Sequence, residues 1–306
     1  MYRANLRSTS VEQIYERGWV VDRYEFDDVE LTYELQGRGE PVVLVHASAF
    51  ASWYVPLVDR LTDVSTVRYR RRLRPTEHGG YRALTVADDA AICARLMDRV
   101  GWARAHIVGH SYGALVALQL AMDAPERVGS VALLEPAARG ISSSEQVAAA
   151  LKPIVAAYRS GDTAGAVDAF LRHVCGDGYR AVLDPVVPEA SREALGEADL
   201  FFQVEMPAVQ GWRFGPSDAE RITAPVLNVV GAESAPRFFE GSELVQSWFP
   251  QAERLSVPQA GHLLMVQNPT AVAHGLRGFF SRHPIDAGQA SVVRRSSAAA
   301  RRTSGV

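Results

Sequence analysis

The pentapeptide Gly109-His110-Ser111-Tyr112-Gly113 is the stretch that most constrains what this chain can fold into. It lies between an apolar run, 105–108, and a run typical of a helix, 114–121. A strand that turns into a helix over so few residues passes through a strained turn, and the two glycines leave the room that it needs. In this context Gly-x-Ser-x-Gly predicts a nucleophile elbow, with the Ser111 hydroxyl held at the end of a sheet in front of a helix N-terminus.

Apolar runs typical of strands alternate with helical patterns on both sides of this pentapeptide. Such alternation predicts an α/β fold with a doubly wound, mostly parallel sheet. The run 41–45 is continuously apolar, as in a strand buried on both faces. We expect strands at 19–26, 29–35, 41–45, 65–69, 105–108, 128–134, 225–230 and 253–257, and helices at 51–62, 85–100, 114–121, 237–248 and after residue 262.

The alternation stops near Pro136 and resumes near residue 221. Residues 137–220 contain no apolar strand run and are mostly helical in pattern, so we interpret them as an inserted helical cap over the strand ends, where such sheets bind ligands. The core is then formed by 1–136 and 221–284. Residues 285–306 are rich in Ser, Ala and Arg without apolar periodicity, and we expect a disordered tail.

Composition argues against several classes of function. The net charge of -3 over 306 residues gives no reason to expect a nucleic-acid or anionic-membrane partner. Cys93 and Cys175 fit neither a disulfide framework nor a metal-ligand spacing. No run approaches the ~18 apolar residues of a membrane helix, and the first residues do not read as a secretory signal. We therefore expect a cytoplasmic monomer or homodimer without metal or cofactor.

Five pieces in order resemble the α/β-hydrolase fold family, over residues 19–283. The resemblance implies this fold and a serine hydrolase chemistry; it does not choose a substrate. The elbow and the late histidine are its specific parts. The five pieces are His46-Ala47-Ser48, Gly109–Gly113, Leu134-Glu135-Pro136, Pro225–Gly231 and Ala260-Gly261-His262.

The resemblance implies that His262, in the loop after the last strand, is the general base for Ser111. A serine hydroxyl is a weak nucleophile at neutral pH and needs such a base within hydrogen-bond reach. The order serine, acid, histidine is the one that this family uses. His46 and His110 are expected to buttress the turns in which they lie.

The acid that orients the histidine departs from the family's common pattern. The usual aspartate after the strand ending at Val230 is replaced, with Ser234 where it would normally fall. Glu135, at the end of the strand that follows the elbow helix, is the favoured candidate. Some branches, including haloalkane dehalogenases and zearalenone-type lactone hydrolases, take their acid from this strand end. Glu233 is the alternative.

The resemblance also implies an oxyanion hole made by the backbone amides of Tyr112 and Ser48. Ala47 stands where the family has glycine, so the backbone of that loop could differ in conformation from the family's. An arginine run, Arg68, Arg70, Arg71, Arg72 and Arg74, is expected in a loop at the rim, where it could attract an anionic substrate. Aromatic residues could line an apolar pocket in the cleft between cap and sheet: Phe50, Trp53, Phe201, Phe202, Trp212 and Phe214.

Together these features predict a cofactor-free serine hydrolase that cleaves a carboxylic ester or lactone, a medium-sized hydrophobic small molecule, through an acyl-enzyme intermediate. Two alternatives remain open. The same catalytic residues could cleave a carbon–carbon or amide bond, because the cap sets the substrate. The chain could also be a non-catalytic binding protein of this fold.

Overall fold

The computed structural model describes residues 13–15, 19–78 and 80–285. Within these described residues, nine strands form one sheet in the order β1-β2-β3-β5-β4-β6-β7-β8-β9. Strands β4 to β9 pair with one another in parallel. Strands β1, β2 and β3 form an antiparallel edge, in which β3 pairs with β5. The strands are β1 Gln13–Tyr15, β2 Trp19–Phe26, β3 Val29–Gly37, β4 Glu40–Val45, β5 Val64–Leu73, β6 Ala105–His110, β7 Val128–Leu134, β8 Val226–Gly231 and β9 Glu253–Val257.

Helices connect the successive strands from β4 to β9 and cover the sheet. The α-helices of the core are α1 Val55–Val58, α2 Val86–Val100 and α3 Tyr112–Asp123 before β7, and α11 Pro236–Trp248, α12 Leu264–Gln267 and α13 Pro269–Arg282 after β8. Short 3-10 helices lie at Ser48–Tyr54 and Pro125–Arg127. The expected helix at 51–62 is therefore wrong in type and length: a 3-10 turn leads into a single α turn.

The helical segment, as we call residues 137–220, separates β7 from β8. Its α-helices are α4 Ser144–Arg159, α5 Thr163–Cys175, α6 Tyr179–Leu183, α7 Ala190–Gly196, α8 Ala198–Leu200, α9 Met206–Gly211 and α10 Pro216–Ala219. A π-helical turn, Phe201–Glu205, joins α8 to α9, so the backbone is helical without a break from 198 to 211.

Local sequence explains the main core elements. Helix α2 begins at a capping box, in which Thr85 and Asp88 bond each other's backbone amides, and it ends at Gly101 with φ 77°. Strands β6 and β7 are buried along their whole length. Such strands belong in the middle of a parallel sheet, covered by helices on both faces. The sequence expectation of a doubly wound, mostly parallel sheet is confirmed.

The strand order reverses at β4. From β4 the chain crosses to β5 on one side, and β6 then pairs with β4 on the other, with Val45 opposite Gly109. In doubly wound sheets the crevice beyond the carboxyl ends of strands at such a reversal is where ligands bind. The segments after β4 and β6 therefore meet at that point, and they contain Ser48 and Ser111.

Four of the five arginines of the run lie in a strand and only Arg74 follows it, so the expected loop is wrong. Strand β5 continues to Leu73 and pairs with β3 along its length. Each arginine is bound to carboxylates, so the run is neutralised by pairing and does not form a free basic rim. The partners of Arg68, Arg70, Arg71, Arg72 and Arg74 are, in order, Glu34, Glu193, the pair Asp89 and Glu205, Glu197, and Glu25.

One expectation falls on residues that the structure does not describe. The expected disordered tail lies outside the described residues from residue 286 onward. Ile285, the last described residue, is buried, and its amide donates a hydrogen bond to Glu40.

Candidate active site

Ser111 lies at a strained turn between β6 and α3. Its backbone has φ 54° and ψ -114°, in the left-handed region that non-glycine residues rarely adopt. Its amide donates to the Leu134 carbonyl at 3.0 Å, which ties the turn to the end of β7. Ser111 is also the residue that precedes the first turn of α3, so the positive end of that helix faces the same region.

The two flanking glycines are required by close backbone approach. A Cβ on Gly109 would lie 2.2 Å from the carbonyl oxygen of Gly113, and one on Gly113 would lie 1.9 Å from that of Val45. Both distances are far below any van der Waals contact. The spacing of glycines in the pentapeptide thus follows from how tightly the turn packs against itself and against β4.

Glu135 continues β7 beyond its last residue and has φ 45°. Its amide donates to the Val229 carbonyl at 3.0 Å, so the adjacent strand holds its backbone. The side chain is 1% exposed. One carboxylate oxygen, Oε2, lies 2.7 Å from Nδ1 of His262.

The second carboxylate oxygen of Glu135 accepts two further hydrogen bonds. Oε1 accepts from the amide of Gly231 at 2.7 Å and from the hydroxyl of Ser234. A buried carboxylate needs such donors to replace the water that it lost. Ser234, which stands where the family's usual aspartate would be, thus contributes a hydrogen bond to the carboxylate that comes from the other strand end.

His262 is buried, 4% exposed, in the loop after β9. Its ring stacks on Phe238 of α11, with centroids 4.2 Å apart and planes inclined by 13°. Its carbonyl oxygen lies 3.0 Å from Nε2 of His110, the residue before Ser111. The loop that carries His262 is therefore bonded directly to the elbow, and the contact of Nδ1 with Glu135 leaves Nε2 as the ring nitrogen free of that carboxylate.

Two further histidines form a buried chain beside His262. His110 Nδ1 lies 2.9 Å from His46 Nε2. Because a carbonyl oxygen only accepts, His110 donates through Nε2 to His262, and its Nδ1 accepts from His46. Burial lowers the pKa of His46 to about 3, and burial together with the His262 charge holds the pKa of His110 well below its usual range. Both rings therefore stay neutral next to His262.

The expected oxyanion donors lie at the ends of neighbouring strands. Tyr112 is the first residue of α3, and Ser48 begins the 3-10 helix that follows β4. Ala47 has φ -62° and ψ 142°, a conformation open to any residue. The replacement of glycine at this position therefore brings no backbone strain.

The side chain of Glu233, the alternative acid, makes no hydrogen bond or ion pair with His262 among the described residues. Its side chain is exposed, and its amide donates to the Ala260 carbonyl at 2.8 Å. Of the two candidates, the structure gives Glu135 the contact with His262.

The structure divides the six expected pocket aromatics into two groups. Phe50 and Trp53 pack edge-on against His46, and Phe50 in turn contacts Phe201, with ring centroids 5.4 Å apart. Phe202 packs against Phe201 on the far side. This first group connects the helical segment with the buried histidines.

The second group lies elsewhere. Trp212 stacks on Phe214, which packs against Trp248 and Phe249, and the Trp212 indole donates to Gln119 at 2.8 Å. Gln119 lies eight residues along α3 from Ser111, or about 12 Å at the rise of an α-helix. Through these contacts Trp212 is joined to α3 and Phe214 to the end of α11. That all six aromatic residues line one cleft stays a prediction.

Sequence reasoning missed three participants: Ser234, the Gly231 amide and Phe238. Ser234 left a signal, since it stands where the family's usual aspartate would fall. Phe238 left none, because one aromatic residue near a helix start is unremarkable until the fold brings it against His262.

The match of a family model covers residues 42–274, and the model describes the alpha/beta hydrolase family. A curated relative named as an uncharacterized carboxylesterase, from Bacillus subtilis (strain 168), is 26% identical over 79% of this chain and 79% of its own length. The dihydrolipoyllysine-residue acetyltransferase component of the acetoin cleaving system of Cupriavidus necator is 40% identical over 38% of this chain. The chain spans only 33% of that relative's length.

The fold is also found among solved structures. The enol-lactonase from Burkholderia xenovorans LB400 superposes with a TM-score of 0.70 at 21% identity, over 85% of this chain and 99% of that one. Within the described residues, no helix combines the length and apolarity needed to cross a membrane. The elbow, the strand order and the family match lead to one conclusion: this chain belongs to the alpha/beta hydrolase family.

Proposed function

We propose that the chain is a cofactor-free serine hydrolase that cleaves a carboxylic ester or lactone of a small hydrophobic compound. The observation that carries the proposal is the 2.7 Å contact between His262 Nδ1 and Glu135 Oε2. The loop that contains His262 is hydrogen-bonded to His110 of the elbow. A buried carboxylate on Nδ1 leaves the other imidazole nitrogen to accept a proton from a serine and stabilises the imidazolium that results.

In the proposed reaction the Ser111 oxygen attacks the substrate carbonyl carbon, and its proton passes to Nε2 of His262. The oxygen of the tetrahedral intermediate is held by the amides of Tyr112 and Ser48. The intermediate collapses, and the alcohol leaves with the proton from His262. Water then gives a proton to His262 and attacks the acyl-enzyme, which releases the carboxylic acid and restores Ser111. In a lactone, the leaving alcohol stays attached to the acyl chain.

The first aromatic group supports an apolar substrate. Phe50 and Trp53 pack against His46, and Phe201 packs against Phe50. In the proposed complex these rings would contact the part of the substrate next to the carbonyl. One relative bears the name of a carboxylesterase and one structural neighbour that of an enol-lactonase, and both names agree with an oxygen ester as the bond cleaved.

Labelling with a fluorophosphonate and intact mass measurement test the proposal. The wild-type protein should take up one phosphonyl group, and Ser111→Ala should take up none. Ser247→Ala, which changes an exposed serine of α11, serves as the matched control and should label like the wild type. An inert wild-type protein would support a binding protein of this fold.

A substrate panel then tests the bond type. Chromogenic esters of increasing acyl length, simple lactones, amides and a ring-cleavage diketone should be compared by kcat/KM. We expect esters or lactones to be preferred. A preference for the diketone or for amides would keep the same residues in place and reject the proposed substrate class.

A further inference from the structure

A buried ion cluster, Arg71, Asp89 and Glu205, lies behind the elbow. The three side chains come from β5, α2 and the π-helical turn, and none is more than 1% exposed. The Arg71 guanidinium lies 2.9 Å from Asp89 Oδ2 and 2.5 Å from Glu205 Oε1. One cation is therefore shared by two carboxylates from different parts of the fold.

The side chain of Tyr112 joins this cluster. Its hydroxyl donates to Asp89 Oδ2, the same oxygen that Arg71 contacts, and its ring centroid lies 5.7 Å from the guanidinium carbon of Arg71. Burial and the neighbouring Asp89 charge hold the pKa of Tyr112 well above its usual range, so the phenol remains a donor. Tyr112 is thus held through its side chain, while its amide follows directly after Ser111.

Glu205 connects the helical segment to the same cation. It is the last residue of the π-helical turn, and it is fully buried. A π turn inserts one residue into a helix and changes which side chains face inward from that point, and such turns are frequent at functional sites. The cluster therefore links the π-helical turn, which contains Phe201 and Phe202 of the first aromatic group, to Tyr112, the first residue of α3.

A contribution to the stability of the fold does not by itself explain why these three ionised side chains are buried together. Buried ion pairs lose about as much free energy by desolvation as they gain by attraction, and apolar side chains of similar volume often serve as well. Ion pairs and directed hydrogen bonds instead fix the relative positions of the groups that they join. Here that geometry is imposed on the residue whose amide is the expected oxyanion donor.

We propose that the buried ion cluster positions the Tyr112 amide for the oxyanion, with Asp89 and Arg71 as positioning residues and Glu205 as the link to the helical segment. The inference rests on the proposed function. Rate depends steeply on such alignment, since a misplacement of 1 Å can cost on the order of 100-fold. The cluster would thus act on the rate of the chemical step and leave substrate affinity nearly unchanged.

The fold supplies a matched control for this idea. Tyr33 donates to Asp22 at 2.8 Å, and Asp22 is paired with Arg99 at 2.7 Å. This second set has the same tyrosine, aspartate and arginine chemistry, but it lies on β2, β3 and the end of α2. A loss of stability should follow from breaking either hydrogen bond, whereas a loss of rate should follow only at Tyr112.

The experiment compares Tyr112→Phe with Tyr33→Phe by thermal unfolding, kcat, KM and the rate of fluorophosphonate labelling. We expect Tyr112→Phe to lower kcat and the labelling rate about 10-fold, a fraction of the loss seen when an oxyanion donor is removed outright, with KM changed less than about twofold. Tyr33→Phe should keep both rates. Equal rates in Tyr112→Phe and the wild type, or equal losses in both variants, would overturn the inference.

A second pair of variants separates positioning from folding. Asp89→Asn keeps an acceptor for the Tyr112 hydroxyl and should retain most of the wild-type kcat, whereas Asp89→Leu removes it and should behave like Tyr112→Phe. If Asp89→Leu does not fold, Asp89→Asn and Tyr112→Phe still decide the matter. An unlabelled wild-type protein would reject the proposed function and this inference together. A labelled wild type with an unaffected Tyr112→Phe would reject the inference alone.

Discussion

Replacing Glu135 with glutamine changes one atom of the carboxylate and should stop most turnover. The glutamine carbonyl can still accept from the Gly231 amide and the Ser234 hydroxyl, as Oε1 does now. Its NH2 group would then face His262 Nδ1, where Oε2 lies at 2.7 Å. Two donors would meet, and the imidazole would shift its proton to Nε2, which could no longer accept one from Ser111.

The size of the expected loss of turnover follows from the imidazole tautomer of His262 that Glu135→Gln favours. The equivalent change in other serine hydrolases lowers kcat by about 10⁴-fold, which corresponds to about 5.4 kcal/mol of transition-state stabilisation. KM should change little, because Glu135 is buried behind His262 and does not face the substrate in the proposed mechanism. Steady-state hydrolysis of a chromogenic ester near pH 8 would measure both constants, with thermal unfolding to show that the fold is retained.

Glu233→Gln is the matched control. This exposed side chain is the other acid considered from the sequence, and its replacement should leave kcat/KM within about twofold, as is usual for surface changes. The reasoning fails if Glu135→Gln keeps more than about a tenth of the wild-type kcat/KM. It also fails if Glu233→Gln is the more damaging change.

Three other changes probe the same framework. Gly113→Ala would place a methyl carbon 1.9 Å from a β4 carbonyl oxygen, so we expect little folded protein by circular dichroism and no fluorophosphonate labelling of what remains. Ser234→Ala removes a donor to Glu135 and should lower the free energy of unfolding by about 1 kcal/mol and kcat several-fold at constant KM; unchanged kinetics would contradict the role given to that hydroxyl. Burial lowers the pKa of His46 to about 3 and of His106 to about 4, while the unfolded chain protonates near 6.5. Stability should therefore fall as pH drops from about 6.5 towards 4, by about 1 kcal/mol per pH unit for each histidine, and urea unfolding that is equally stable at pH 7 and pH 5 would contradict this.

Features that depend on local sequence were predictable. The buried strands can be recognised in the sequence as apolar runs. The elbow can be recognised from two glycines around a serine between a strand and a helix. These features required no knowledge of distant parts of the chain. The choice of Glu135 as the acid, by contrast, came from the resemblance to branches of the family that take their acid from this strand end, and its catalytic role stays a prediction.

Strand β5 shows why other features were hidden. From Tyr69 to Leu73 alternate residues are buried, but the inward position between them is Arg71, which reads as a surface residue in the sequence. Its burial depends on Asp89 and Glu205, 18 and 134 residues further along the chain. A local pattern cannot show that distant carboxylates will neutralise a cation.

The division of the aromatic residues has the same cause. Phe201 and Trp212 lie 11 residues apart in the helical segment, yet one contacts Phe50 and the other bonds Gln119. Which partner each side chain reaches depends on the path of the helical backbone through the π turn, and hydrophobicity alone does not encode that path.

The way in which Ser111 and Glu135 are held has a consequence for refolding. Both residues adopt left-handed backbone angles, and the backbone N–H of each donates a hydrogen bond to a carbonyl oxygen of the neighbouring strand: Ser111 to Leu134, and Glu135 to Val229. Neither conformation is favourable in an isolated segment, so both should form only once three central strands have aligned. Recovery of catalysis after dilution from denaturant would then report assembly of the middle of the sheet, later than the return of helical circular dichroism.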